Sequence, residues 1–231
     1  MPHLKRLLAP KFWGVKRKES KWVVTPRPGP HPKFSSIPLS IILTSILKIA
    51  DTTSEAKKII RKGELFVDGK RRKDYGYPVG LFDLVSIPSL KKSYRVIPTP
   101  KGLEIIEINE KESMKICKIK NKTVLEKGKV QLNLDNGKNI LVADGNYKTG
   151  DSLLLELPSL KIIDHLPLTK GNTGLVVKGE NVGKLAKVKD LIKGGMKQTP
   201  KVLCEIGKEE KIIERGSFIV VGKDKPVMKI A

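Results

Sequence analysis

The chain has 231 residues, 46 Lys and Arg against 24 Asp and Glu, and a formal net charge of +22. An apolar fraction of 39% supports packed cores and argues against wholesale disorder. No stretch reaches the roughly 20 apolar residues of a spanning helix, the first residues lack a signal-peptide core, and a compact state this positive calls for a polyanionic partner.

The charge is unevenly placed. Residues 1–36 hold nine basic residues and one acidic, 37–102 hold 13 and 6, 103–165 hold 10 and 10, and 166–231 hold 14 and 7. Two flanks that face phosphate around a neutral middle fit this distribution. Along residues 1–36, Pro10, Pro26, Pro28, Pro30 and Pro32 forbid a long helix or central strand. Phe12, Trp13, Trp22 and Phe34 alternate there with cations, as in a segment that packs on its own domain or on RNA bases. We expect an irregular basic arm, separable from the folded chain.

Residues 37–50 read as an amphipathic helix ended by Asp51. Thr52 with Glu55 three residues on is a capping-box signature, and Gly63 is the matching stop. The helix between them has an inner face of Ala56, Ile59 and Ile60 and an outer face of Lys57, Lys58, Arg61 and Lys62. The outer pairs Lys57/Arg61 and Lys58/Lys62 repel by roughly 0.2–0.5 kcal/mol each. Phosphates across the helix would remove that repulsion and release counterions. A short strand at 64–67, a tight turn at Asp68-Gly69, the basic run Lys70 to Lys73 and a strand at 83–87 complete a compact unit.

From Tyr94 onward the pattern is β. Short alternating strands are expected at 103–108 and 114–119, then a hairpin from Val130 to Val142 turning at Asn136-Gly137, then a strand at 153–157. Strands of this spacing fit a small barrel. The last segment, 166–231, is glycine-rich, with Gly171, Gly174, Gly179 and Gly183 around Leu175-Val176-Val177 and further strands at 202–206 and 218–221.

Three stretches carry a family resemblance. His3-Leu4-Lys5-Arg6-Leu7-Leu8-Ala9-Pro10-Lys11 with Trp13, then Arg27-Pro28-Gly29-Pro30-His31, resembles the N-terminal signature of the small-subunit ribosomal protein S4e family. Glu55-Ala56-Lys57-Lys58-Ile59-Ile60, Gly63, Val67-Asp68-Gly69 and Arg72-Lys73-Asp74-Tyr75 resemble that family's small RNA-binding fold. Gly171 to Asp190 resembles a KOW motif, an SH3-like barrel, and Phe218 to Lys223 resembles the family's ending. The chain length fits an archaeal-type member.

The resemblance implies an α+β, multidomain chain. Its parts would be an irregular basic arm at 1–36, a small α/β S4-type RNA-binding domain at 37–92, a central small β-barrel at 93–165, and a C-terminal SH3-like KOW β-barrel at 166–231. It implies a non-catalytic structural constituent of the cytoplasmic small ribosomal subunit. The implied partners are 16S-type ribosomal RNA and neighbouring small-subunit proteins, with no membrane, small-molecule substrate or cofactor.

The residues expected to touch RNA are Lys5, Arg6, Lys11, Trp13, Lys16, Arg17, Lys18, Lys21, Arg27, His31, Lys57, Lys58, Arg61, Lys62, Lys70, Arg71, Arg72 and Lys73. Cationic contacts of this kind position a protein on a backbone without reading sequence. Catalytic and metal signatures are missing: His3, His31 and His165 are far apart, and Cys117 and Cys204 form no Cys-x-x-Cys pair. Gly179 to Lys184 is one residue short of a P-loop and lacks the following Ser or Thr. Two rivals remain. One is a pseudouridine synthase, which shares the small RNA-binding fold but would need a catalytic Asp-bearing domain. The other is a KOW-containing factor that acts transiently.

Overall fold

In the computed structural model, which describes residues 3–109, 113–125, 128–143, 145–195, 198–207 and 209–228, regular structure follows the local sequence signals closely. The prolines confine residues 3–36 to single 3₁₀ turns and two short paired strands, β1 (Leu4–Lys5) and β2 (Trp22–Val23). The next short strand, β3 (Ile37–Pro38), leads into helical turns at Leu39–Ile41 (α1) and a π-helical stretch at Ile42–Ile46, shorter than the expected helix. Lys48, with φ 52°, ends it.

Helix α2 spans Thr53–Lys62 between the expected caps. The Thr52 hydroxyl accepts from the Glu55 amide at 3.2 Å, and Glu55 in turn accepts from the Asp51 amide at 3.1 Å. Gly63 takes the left-handed φ of 79° that closes the helix. Ala56 and Ile60 are buried, as the spacing requires.

Strands β4 (Phe66–Val67) and β5 (Lys70–Arg71) are joined by Asp68-Gly69, whose φ angles of 52° and 70° are those of a primed hairpin turn. After β6 (Pro78–Val79), which pairs with β3, come β7 (Leu84–Ile87), β8 (Lys92–Thr99) and β9 (Gly102–Ile108). With β4 and β5, strands β7, β8 and β9 make a five-stranded sheet in the order β5-β4-β7-β8-β9.

The remaining elements are strands: β10 (Met114–Val124), β11 (Val130–Leu134), β12 (Asn139–Val142), β13 (Ser152–Glu156) and β14 (Ile162–Leu166). They form a sheet in the order β12-β11-β10-β13-β14. Then follow β15 (Thr173–Val176), β16 (Leu185–Ile192), β17 (Lys201–Ile206), β18 (Glu209–Glu214) and β19 (Phe218–Gly222), ordered β18-β17-β16-β15-β19. The β11–β12 hairpin forms where expected, with a turn longer than two residues, since the Leu134 amide donates to the Lys138 carbonyl. Gly174 sits where a side chain would meet the Phe218 ring at 2.1 Å, so β15 and β19 close over a residue with no Cβ.

The chain divides into two compact units, residues 1–97 with 101–115, and residues 98–100 with 116–231. Within the first, Leu4, Ala9 and Trp13 belong to the same hydrophobic core as Ile37, Leu39, Ile60, Val67 and Val85. The N-terminal segment is therefore core material of this unit, contrary to the expected separable arm. The second unit holds the central and the C-terminal sheets together. There Lys118 donates to the carbonyls of Arg215 and Phe218, and burial pushes its ammonium down to about 8.

Candidate RNA-binding surface

The outer face of α2 and the basic run after the Asp68-Gly69 turn, separated in sequence by residues 63–69, are continuous in space. Arg71 joins them: its Nε donates to the Gly63 carbonyl at 2.6 Å and its Nη2 to the Lys62 carbonyl at 2.7 Å. These carbonyls are among those a helix leaves without partners at its C-terminus, where a cation also meets the negative end of the helix dipole. The hairpin is thus tied to the helix end, and Lys58, Arg61, Lys62, Lys70, Arg71 and Lys73 all lie exposed. Lys58, Arg61, Lys62, Lys70 and Lys73 form no ion pair among the described residues.

Arg72 is half-buried, with its guanidinium 4.4 Å from the centre of the Tyr77 ring. Burial raises the Tyr77 phenol, against the lowering effect of Arg72. Tyr75 gathers two more cations, Lys57 at 4.6 Å and Arg27 at 5.1 Å from its ring centre. Arg27 also reaches Asp74 at 3.4 Å, and its amide donates to the Gly76 carbonyl at 2.8 Å. The N-terminal segment and the α2 face therefore converge on Tyr75. Sequence reasoning gave that residue no role, although it closes the run Arg72-Lys73-Asp74-Tyr75.

In the N-terminal segment Lys5, Lys11, Lys16, Arg17, Lys18 and Lys21 are exposed, while Arg6 is half-buried and pairs with Glu19 at 2.9 Å. Two expected contacts are corrected. Trp13 is 0% exposed and its indole donates to the Ser36 carbonyl at 2.9 Å, so its ring is core and cannot stack on a base. His31 has a side chain only 10% exposed and holds Asp83 at 3.0 Å, so its ring serves an internal contact.

That contact belongs to a buried charge cluster with no signal in the sequence. Lys115, 1% exposed, lies 2.8 Å from Asp68 and also pairs with Asp83. Asp68 accepts from the Leu84 amide at 3.2 Å and Asp83 from the Gly80 amide at 2.8 Å. Burial alone would raise the Asp83 carboxyl. The Lys115 ammonium and the His31 hydrogen bond override this and hold it below the usual carboxylate range. The cluster fixes Asp68, the first residue of the turn that carries the basic run.

Among the described residues no group of His, Cys, Asp and Glu is arranged to hold a metal ion, and no helix is long and apolar enough to cross a membrane.

Comparison with known proteins adds to this geometry. Residues 2–33 match a domain described as RS4NT, residues 37–85 match the S4 domain, and residues 90–162 match the ribosomal family S4e. The small ribosomal subunit protein eS4 of Archaeoglobus fulgidus is 44% identical over 99% of this chain and 97% of the relative. The eS4 of Methanocaldococcus jannaschii is 40% identical over 99% and 97% respectively. A crystal structure of the 30S ribosomal protein S4e of Thermoplasma acidophilum superposes with a TM-score of 0.71 at 24% identity, covering 81% of this chain and 95% of that one.

Proposed function

The chain belongs to the S4e family of ribosomal proteins, which are structural proteins and not enzymes, and from that premise we propose that it binds and stabilises 16S-type ribosomal RNA in the small subunit. The observation that carries this reading is the cationic surface that Arg71 makes continuous across the helix end and the hairpin. Exposed cations without internal partners need phosphate to relieve their mutual repulsion. The rigid backbone beneath them holds the spacing before RNA arrives, which lowers the cost of ordering side chains on binding.

The N-terminal segment adds Lys5, Lys11, Lys16, Arg17, Lys18 and Lys21 to that interface. The Gly171–Asp190 region is read as a KOW element of an SH3-like barrel, in keeping with the five-stranded antiparallel sheet and the side-chain-free crossing at Gly174. The neutral central sheet faces neighbouring small-subunit proteins or solvent, and the site of action is the cytoplasmic ribosome.

Sucrose-gradient sedimentation of cell extract tests this. The protein should co-sediment with small subunits and stay bound through a moderate salt wash. Recovery in the ribosome-free supernatant would instead favour a factor that acts transiently.

A further inference from the structure

Beside the cationic face, the first unit carries a cavity of about 660 Å³, inside the range of about 300–1,000 Å³ typical of small-molecule sites. Its walls combine three kinds of group. Trp22, 45% exposed, presents an indole with the His3 ring centre 5.1 Å away. Arg27 and Lys57, the two cations carried by Tyr75, stand on the same cavity. Ser40 lines it too: the residue is 1% exposed, and its hydroxyl has no hydrogen-bond partner.

Each group asks for a different part of one ligand. A buried hydroxyl without a partner carries a desolvation penalty that a bound polar edge would remove. A half-exposed indole is a stacking platform for a planar ring. Arg27 is already paired with Asp74 at 3.4 Å, while Lys57 forms no ion pair among the described residues, so the surplus positive charge beside the ring favours an anion. A nucleotide supplies all three: a planar ring, a polar edge and an attached anion.

We infer that this cavity receives one unpaired nucleotide of RNA, its base stacked on Trp22 and bonded to the Ser40 hydroxyl, its phosphate held by Arg27 and Lys57. The inference rests on the RNA-binding reading above and deepens it by naming a place where an extruded base would enter. Direct contact with an unstacked base is the usual way proteins read RNA sequence, which phosphate contacts on the α2 face cannot do.

The test uses the full chain and two short RNA duplexes, identical except that one carries a single unpaired 2-aminopurine nucleotide. The bulged duplex should bind about tenfold tighter, as expected for one stacked base, with quenching of the 2-aminopurine fluorescence. Trp22→Ala and Ser40→Ala should each shrink that advantage while leaving affinity for the plain duplex unchanged. Trp22→Phe should restore part of it. Equal binding of the two duplexes would overturn the nucleotide site and leave the cationic surface standing. A bulge advantage that survives both Trp22→Ala and Ser40→Ala would place the contact elsewhere and overturn it as well. Failure to bind either duplex would overturn both readings. Binding of adenosine monophosphate without any bulge advantage would assign the cavity to a free nucleotide, against an RNA occupant.

Discussion

Arg71 closes a helix it does not belong to, donating from Nε to the carbonyl of Gly63 at 2.6 Å. The residue immediately before Gly63 receives a second bond from the same guanidinium. One side chain thus couples the stability of α2 to the geometry of the basic hairpin.

Cations on this face should therefore separate into two classes. Replacing Arg61, Lys62, Lys70 and Lys73 together by alanine should flatten the salt dependence of RNA binding by about 0.9 per lost contact on duplex-like RNA. Stability should change by no more than about 0.5 kcal/mol per site, since these side chains are exposed. Arg71→Ala should instead cost about 1 kcal/mol through the lost hydrogen bonds at the helix end. Lysine should not substitute fully, lacking the forked donor geometry. Filter binding across a salt series and urea denaturation measure the two effects, and an unchanged salt slope would remove this face from the interface.

Trp13 should behave as a core residue. Trp13→Ala should destabilise the first unit by about 3–5 kcal/mol, the usual range for truncating a buried aromatic. Trp13→Phe should cost less but leave the Ser36 carbonyl without its donor. Deletion of residues 1–36 should uncover Ile37 and Leu39 and broaden or abolish the unfolding transition, because Leu4, Ala9 and Trp13 pack in that core. A deletion variant that unfolds as sharply as the intact chain would contradict this.

The Lys115 cluster predicts an acid-sensitive first unit. The Asp83 carboxyl titrates lower in the folded state than in the unfolded one. Its contribution is complete above the unfolded value of about 3.9 and is lost as pH falls below it. Lys115→Met removes the ammonium that opposes burial, leaves the Asp83 carboxylate to its His31 and Gly80 hydrogen bonds, and should cost about 3–5 kcal/mol at neutral pH. In that variant the acid transition should move to higher pH, because the Asp83 carboxyl then protonates more readily. Circular dichroism followed from pH 7 downward on both proteins reads the shift.

The thiols should be silent in the native protein. Cys117 and Cys204 form no disulfide and are both buried, and burial pushes the Cys204 thiol up to about 11. Since the thiolate is the reactive form, Ellman's reagent should find neither cysteine until denaturant is added. Rapid native labelling would mean that the second unit opens locally.

The sequence by itself determined the elements whose causes are local. Thr52, Glu55 and Gly63 bound α2, and Asp68-Gly69 forces the hairpin, because caps and turns are decided within four residues of backbone. The run of cations on α2 was equally legible, since helical spacing alone puts them on one face. Strand β18 was not read, because Glu209 to Glu214 carries only Lys211, Ile212 and Ile213 between its acids and gains its place from pairing with β17.

Only the tertiary structure decided which cations and aromatics face outward. Trp13 and Trp22 sit in the same basic context, yet one is sealed and the other 45% exposed. Lys115 reads as one more lysine in a neutral region until Asp68 and Asp83, 47 and 32 residues away, close on it. Burial is fixed by contacts between residues distant along the chain, and no local pattern of charge or hydrophobicity encodes which distant partner will arrive.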